Sequence, residues 1–199
     1  MTSELSLEIA AAAARWVVEE GMEYGPAKRR AARDVAGRNT RKAELPSNTE
    51  VETEVRAYLE LFCADTQPVE LAALREVAVV WMQRMADFRP HLTGAVWRGT
   101  ATKLNNIHLQ LYCDDSKAAE LALIDKGVDY EVGSVTGPRG DEVSVLSASS
   151  PCRALNEHVT VHMSVLDHDD LRGALKPDAL GLTERGDLKA LRALMEAAK

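Results

Sequence analysis

Two polar side chains that could do chemistry lie at the start of a predicted strand. Asn106 and His108 alternate with the apolar residues Ile107, Leu109 and Leu111. Residues i and i+2 of a strand point to the same side of a sheet, so the amide and the imidazole should face one cleft. An imidazole can serve as a base, a hydrogen-bond partner or a ligand of transition metals, whereas a neutral amide is a weak ligand.

A glycine followed by a hydroxyl residue precedes that strand. The segment Gly94–Arg98 is predicted to form a short strand that ends in Gly99-Thr100. A glycine turn lets backbone N–H groups approach a phosphate closely, so Gly99 and Thr100 are candidate phosphate contacts. The alternative is a permissive strand end without a ligand, and the two interpretations stay open at this point. Asp129 lies in the next predicted strand and supplies a candidate carboxylate.

The elements around these residues predict an α+β fold. Apolar residues recur at helical spacing over the first ninety residues, and Ser47-Asn48-Thr49-Glu50 matches a capping box. After residue 92 the apolar period changes to two, which indicates strands. We therefore predict a helical region over residues 1–90, packed on a small mixed β-sheet within a second region over 91–199.

The pattern formed by Gly99-Thr100, Asn106, His108 and Asp129 resembles the core of the DNA polymerase β-type nucleotidyltransferase superfamily over roughly residues 70 to 165. In that family a glycine and a small hydroxyl residue end one strand, and an Asp-x-Asp pair begins the next. The resemblance implies a sheet of nucleotidyltransferase type. It also implies nucleotide contacts at Gly99, Thr100 and Asn106, and a third carboxylate position at Asp129.

The chain departs from this family where the metal ligands belong. Asn106 and His108 occupy the two aspartate positions, so Asp129 is the one carboxylate left. Two Mg²⁺ ions need several carboxylate oxygens, so we predict no metal site and no cofactor. The predicted function is a nucleotidyltransferase-like protein that binds a nucleotide or a protein partner. The alternative is a divergent active nucleotidyltransferase that uses His108 and Asp129, and only this alternative requires Mg²⁺.

Composition narrows the cellular setting. The 199 residues carry a net charge of −7, which argues against a general nucleic-acid binder. No apolar run is long enough to span a bilayer, so no membrane association is expected. The three cysteines contain no Cys-x-x-Cys pair, which is typical of reduced thiols and favours a cytoplasmic location.

Two further features have two interpretations each. The segment 28–42 concentrates basic residues, either as a phosphate, nucleic-acid or partner contact or as a solvated helix face. Its basic residues are Lys28, Arg29, Arg30, Arg33, Arg38, Arg41 and Lys42. His158 and His162 lie on the polar side of another predicted strand. They face solvent, or one of them shares the cleft of His108 if the two strands are neighbours.

Overall fold

The computed structural model describes residues 3–37, 45–137, 139–172, 174–178 and 181–198. These residues form seven α-helices and one six-stranded mixed sheet, so the predicted α+β class and the helical N-terminal region are confirmed. The helices are α1 (Glu4–Glu20), α2 (Tyr24–Ala36), α3 (Asn48–Phe62), α4 (Gln67–Arg84), α5 (Gly94–Arg98), α6 (Ala118–Asp125) and α7 (Leu188–Ala197). The strands are β1 (His91–Thr93), β2 (Ile107–Tyr112), β3 (Glu131–Thr136), β4 (Glu142–Cys152), β5 (Glu157–Leu166) and β6 (Arg185–Gly186). Within the described residues, no helix combines the length and the apolar character that crossing a bilayer requires.

The chain divides into two compact units. The helical unit comprises Met1–Val69 together with Thr100–Leu104, and the sheet unit comprises Glu70–Gly99 together with Asn105–Lys199. This division by contacts does not test the predicted boundary near residue 90. It stays a prediction.

The helical unit packs small side chains between α1, α2 and α3. Its buried core contains Ile9, Ala10, Ala13, Ala14, Val17, Val18, Ala27, Ala31, Ala32, Val51, Val55 and Leu59. Alanine at so many core positions lets helix backbones approach closely. The ends of the helices follow the predicted signals: Gly21 caps α1 at φ 65°, and Ser47 and Glu50 form the capping box that begins α3.

The sheet has the strand order β3-β4-β5-β2-β1-β6. β2 and β5 run parallel, and the other neighbouring strands run antiparallel. The predicted alternation in β2 is confirmed, because Ile107, Leu109 and Leu111 are buried while His108 and Gln110 are half-buried. The side chains of β5 alternate in the same way. The two central strands therefore present one apolar face and one polar face.

The predicted strand over Gly94–Arg98 is wrong, because this segment forms α5. The strand ends earlier, at Thr93, and Gly94 and Gly99 bracket the helix with left-handed φ angles of 71° and 82°. The buried Arg75 side chain of α4 binds the end of α5, donating from Nε to the Val96 carbonyl at 3.1 Å and from Nη2 to the Trp97 carbonyl at 3.2 Å. Carbonyls at a helix end have no intrahelical partner, so this guanidinium satisfies them and favours the helix over a strand.

Trp97 of α5 packs against β6 at a position that admits no side chain. A Cβ at Gly186 would overlap the indole ring. Trp97 Nε1 donates to the Thr183 carbonyl at 2.7 Å, which restrains the ring from moving aside. The absence of a side chain at position 186 therefore permits the contact between α5 and the edge strand.

We expect Gly186→Ala to lower the free energy of unfolding by about 1–3 kcal/mol, because overpacking displaces a restrained ring. Urea denaturation of the whole chain measures the change. Gly133→Ala is the matched control, since Gly133 also lies in a strand and a Cβ there meets nothing within 4 Å. Equal unfolding midpoints for the two variants would show that Trp97 is not tightly packed.

Candidate functional site

The parallel pairing of β2 and β5 places two histidines side by side. His108 lies opposite His162 in the register of the two strands. Their rings stack with centroids 5.1 Å apart and an interplanar angle of 28°. β5 is therefore the neighbour of β2, and His162 lies beside His108 on the same face of the sheet. His158 lies four positions earlier on β5 and is exposed.

The ring of His162 is held through both of its nitrogens. Asn106 Nδ2 lies 3.2 Å from Nε2, and Ser147 Oγ of β4 lies 2.8 Å from Nδ1. An amide nitrogen can only donate, so Nε2 accepts and the ring proton lies on Nδ1, which donates to Ser147 Oγ. We call Asn106, His108, Ser147 and His162 the histidine cluster.

Arg185 brings a guanidinium to the same face of the sheet, and its Nη2 pairs with Glu184 Oε2 at 3.1 Å. Thr93 of β1 pairs with both His108 and Arg185, so these side chains point to one side. Arg185 Nη1 lies 2.9 Å from Gln110 Oε1 and 3.4 Å from the hydroxyl oxygen of Tyr112. Its Nε is buried and has no hydrogen-bond partner among the described residues. The polar face thus combines imidazole, amide and hydroxyl groups with one guanidinium.

The two residues of the predicted glycine turn, Gly99 and Thr100, belong to different units of the chain. Gly99 lies beside Arg75 of α4, and Thr100 is buried in the helical unit, where its hydroxyl has no hydrogen-bond partner among the described residues. The glycine beside the cluster is Gly94, where a Cβ would lie 3.8 Å from His108 Cδ2. Ala95 follows Gly94, so the glycine that ends the strand is not followed by a hydroxyl residue.

Asp129 does not lie near Asn106 and His108. It is exposed and precedes β3, which lies at the sheet edge beyond β4 and β5. With strands about 4.8 Å apart, β3 is roughly 14 Å from β2. The neighbouring strand β5 brings His162 to the cluster instead of a carboxylate.

The donor set does not fit a pair of magnesium ions. Magnesium prefers carboxylate and phosphate oxygens, and the cluster offers two imidazoles, an amide and a hydroxyl. Over the described ranges, no three histidine, cysteine, aspartate or glutamate side chains gather closely enough to hold a metal ion.

Cys113 is a poor nucleophile, because burial and the nearby Asp115 and Asp114 carboxylates raise the pKa of its thiol.

Residues 28–37 of the basic segment 28–42 belong to the helical unit, and Arg38, Arg41 and Lys42 lie outside the described residues. Lys28 Nζ is engaged locally, since it donates to the Pro46 carbonyl at 3.1 Å and to Asn48 Oδ1 at 2.8 Å. Lys28 therefore stabilises the contact between α2 and the start of α3.

Comparisons with protein-family models, with curated proteins and with solved structures found no match for this chain. The functional argument therefore depends on the geometry of the described residues.

Sequence reasoning did not single out Gly94, Ser147 or Arg185. Gly94 was missed because the segment Gly94–Arg98 was predicted to be a strand that ends at Gly99. Ser147 and Arg185 reach the polar face through strand pairings that local patterns do not reveal. The only local signal was the alternation of polar and apolar residues, which does not name a neighbour.

The hydrogen bonds of His162 predict its tautomer. Long-range ¹H–¹⁵N correlation spectra should show the proton of neutral His162 on Nδ1. Asn106→Ala removes the donor to Nε2, so the population should move toward the Nε2-protonated form. His158, exposed on the same strand, is the internal control and should not change. An Nε2-protonated ring in the unmodified protein would contradict the assigned orientation of the Asn106 amide.

Proposed function

We propose that this protein is a nucleotidyltransferase-like binding protein that holds a nucleotide at the histidine cluster and does not use paired-magnesium chemistry. One observation carries the proposal. The resemblance aligns Asn106 and His108 with the family's Asp-x-Asp pair, and these side chains contact His162 of the neighbouring strand, so an amide and two imidazoles stand where the family has carboxylates.

The contacts within the cluster argue for binding over metal-assisted transfer. The amide nitrogen of Asn106 binds His162, and the ring of His108 stacks on the same imidazole. Two Mg²⁺ ions would need negative charge, which these side chains do not supply. Asp129 cannot replace it from its exposed position before an edge strand without a large rearrangement of the sheet.

The chemistry of the polar face fits a nucleotide. Base edges present hydrogen-bond donors and acceptors, which the Ser147 hydroxyl and the Asn106 amide can match. An imidazole ring offers a planar surface for stacking against a base. Arg185 lies on the same side of the sheet as His108 and supplies a guanidinium for a phosphate, which would compete with the Glu184 carboxylate 3.1 Å from Arg185 Nη2.

Isothermal titration with ATP, CTP, GTP and UTP, each with and without Mg²⁺ or Mn²⁺, tests the proposal. We expect at least one nucleotide to bind, with an affinity that the metal ion changes by no more than about twofold. His108→Ala should weaken that binding about tenfold or more, as expected when a ligand contact worth roughly 1.5 kcal/mol is lost. His158→Ala is the matched control and should leave the affinity unchanged.

Two outcomes would overturn the proposal. Metal-dependent transfer of a labelled nucleotide, lost in both His108→Ala and Asp129→Ala, would identify a divergent active nucleotidyltransferase. If no nucleotide binds up to about 1 mM, which corresponds to a binding free energy of roughly −4 kcal/mol, the ligand is not a nucleotide. A protein partner is then the remaining candidate.

A further inference from the structure

A cationic cavity lies in the helical unit, separate from the histidine cluster in the sheet unit. The cavity has a volume of about 720 Å³ and lies along α2. Its lining residues are Met22, Pro26, Arg29, Arg30, Ala32, Arg33 and Leu45. We call it the arginine cavity. Three guanidinium groups and no carboxylate line it among the described residues, in a protein whose net charge is −7.

Arg30 is held in place before any ligand arrives. Its guanidinium carbon lies 3.5 Å from the ring centroid of Trp16 on α1, a cation–π contact. Trp16 is itself restrained, since its Nε1 donates to Asp34 Oδ2 at 3.1 Å. Arg30 Nη1 also lies 3.9 Å from the sulfur of Met22. A guanidinium fixed in this way loses little conformational entropy on binding an anion.

Arg29 and Arg33 complete a concave positive surface. They lie four residues apart on α2, so their side chains are neighbours on one helix face. Both are exposed, and neither forms an ion pair with a described residue. The nearest acid on α2, Asp34, accepts the hydrogen bond from Trp16. Asp34 keeps its negative charge in that hydrogen bond but does not line the cavity, so the described lining carries three guanidinium groups and no carboxylate.

We propose that the arginine cavity binds the phosphate chain of a small polyphosphate-bearing molecule. Arginine guanidinium groups present paired N–H donors that match phosphate oxygens, and three of them can neutralise adjacent phosphates. The apolar side chains of Met22, Pro26 and Leu45 line the rest of the cavity and can contact the non-phosphate part of such a ligand. This inference does not rest on the proposed function, which concerns a different unit of the chain.

The size and charge of the cavity favour a small molecule over a nucleic acid. Pockets of roughly 300–1,000 Å³ are typical of small-ligand sites, and this cavity falls within that range. A nucleic acid would need a longer track of basic residues than the described part of α2 presents. Lys28, the next basic residue on α2, instead binds Pro46 and Asn48.

Titration of the full chain with sodium tripolyphosphate, which has no base or sugar, tests the inference independently of the histidine cluster. We expect saturable binding that weakens about tenfold or more in the double variant Arg29→Gln/Arg33→Gln, because two charged hydrogen-bonding groups are lost. The control Arg153→Gln/Arg172→Gln removes the same charge from two exposed sites of the sheet unit and should change the affinity less than twofold. Arg30→Lys keeps the charge but loses the planar contact with Trp16, so it should weaken binding several-fold.

Three results would overturn the inference. The unmodified chain could fail to bind tripolyphosphate at about 1 mM in low salt. The double variant and its control could bind equally, which would assign the effect to net charge alone. A single-stranded RNA oligomer could bind through Arg29 and Arg33 without competition from tripolyphosphate, which would assign the cavity to a nucleic acid.

Unchanged helical circular dichroism in each variant verifies that the fold is retained, since glutamine is well tolerated at exposed helix positions.

Discussion

The parallel pairing of β2 with β5 is the constraint on which the candidate site depends. This pairing sets His162 opposite His108 and brings β4, with Ser147, to the far side of His162. A shift of one residue between the two strands would send one of the histidines to the apolar face. The buried faces of both strands exclude such a shift, because Leu109 and Met163 are paired in the same register and are almost fully buried. The apolar core thus determines which polar residues meet.

This arrangement also explains the character of the site. The cluster contains amide, hydroxyl and imidazole groups, which hydrogen-bond well, and no carboxylate. Asn106 and Ser147 bond to the Nε2 and Nδ1 atoms of the His162 ring. Such a network stabilises a fixed geometry at little electrostatic cost. A cluster of carboxylates at the same place would repel itself unless metal ions neutralised it. An amide and imidazoles at these positions are therefore consistent with a site that needs no metal ion to stay ordered.

The helical unit differs from the sheet unit, because half of the residues in its buried core are alanine and it presents three arginines on one surface. Small core residues leave little apolar area per helix, so specific contacts between helices gain importance. The stacking of Arg30 on Trp16, and the bond from Trp16 to Asp34, connect α1 with α2 at the rim of the arginine cavity. The residues that join these helices are thus the ones that fix the charged group of the cavity.

Local sequence patterns determined much of the secondary structure. The alternation of Ile107, Leu109 and Leu111 predicted β2, and Gly21 predicted the end of α1, because side-chain periodicity and backbone freedom act over a few residues. The α+β class and the possibility that β5 adjoins β2 were also within reach of the sequence.

Tertiary contacts decided the remainder. Gly94–Arg98 became a helix because Arg75, distant in sequence, binds its terminal carbonyls. Asp129 lies apart from Asn106 because β3 pairs with β4 at the sheet edge, whereas the resemblance implied a place beside the strand of Asn106 and His108. Strand neighbours are chosen by the total burial of a sheet face, and no segment of a few residues contains that information.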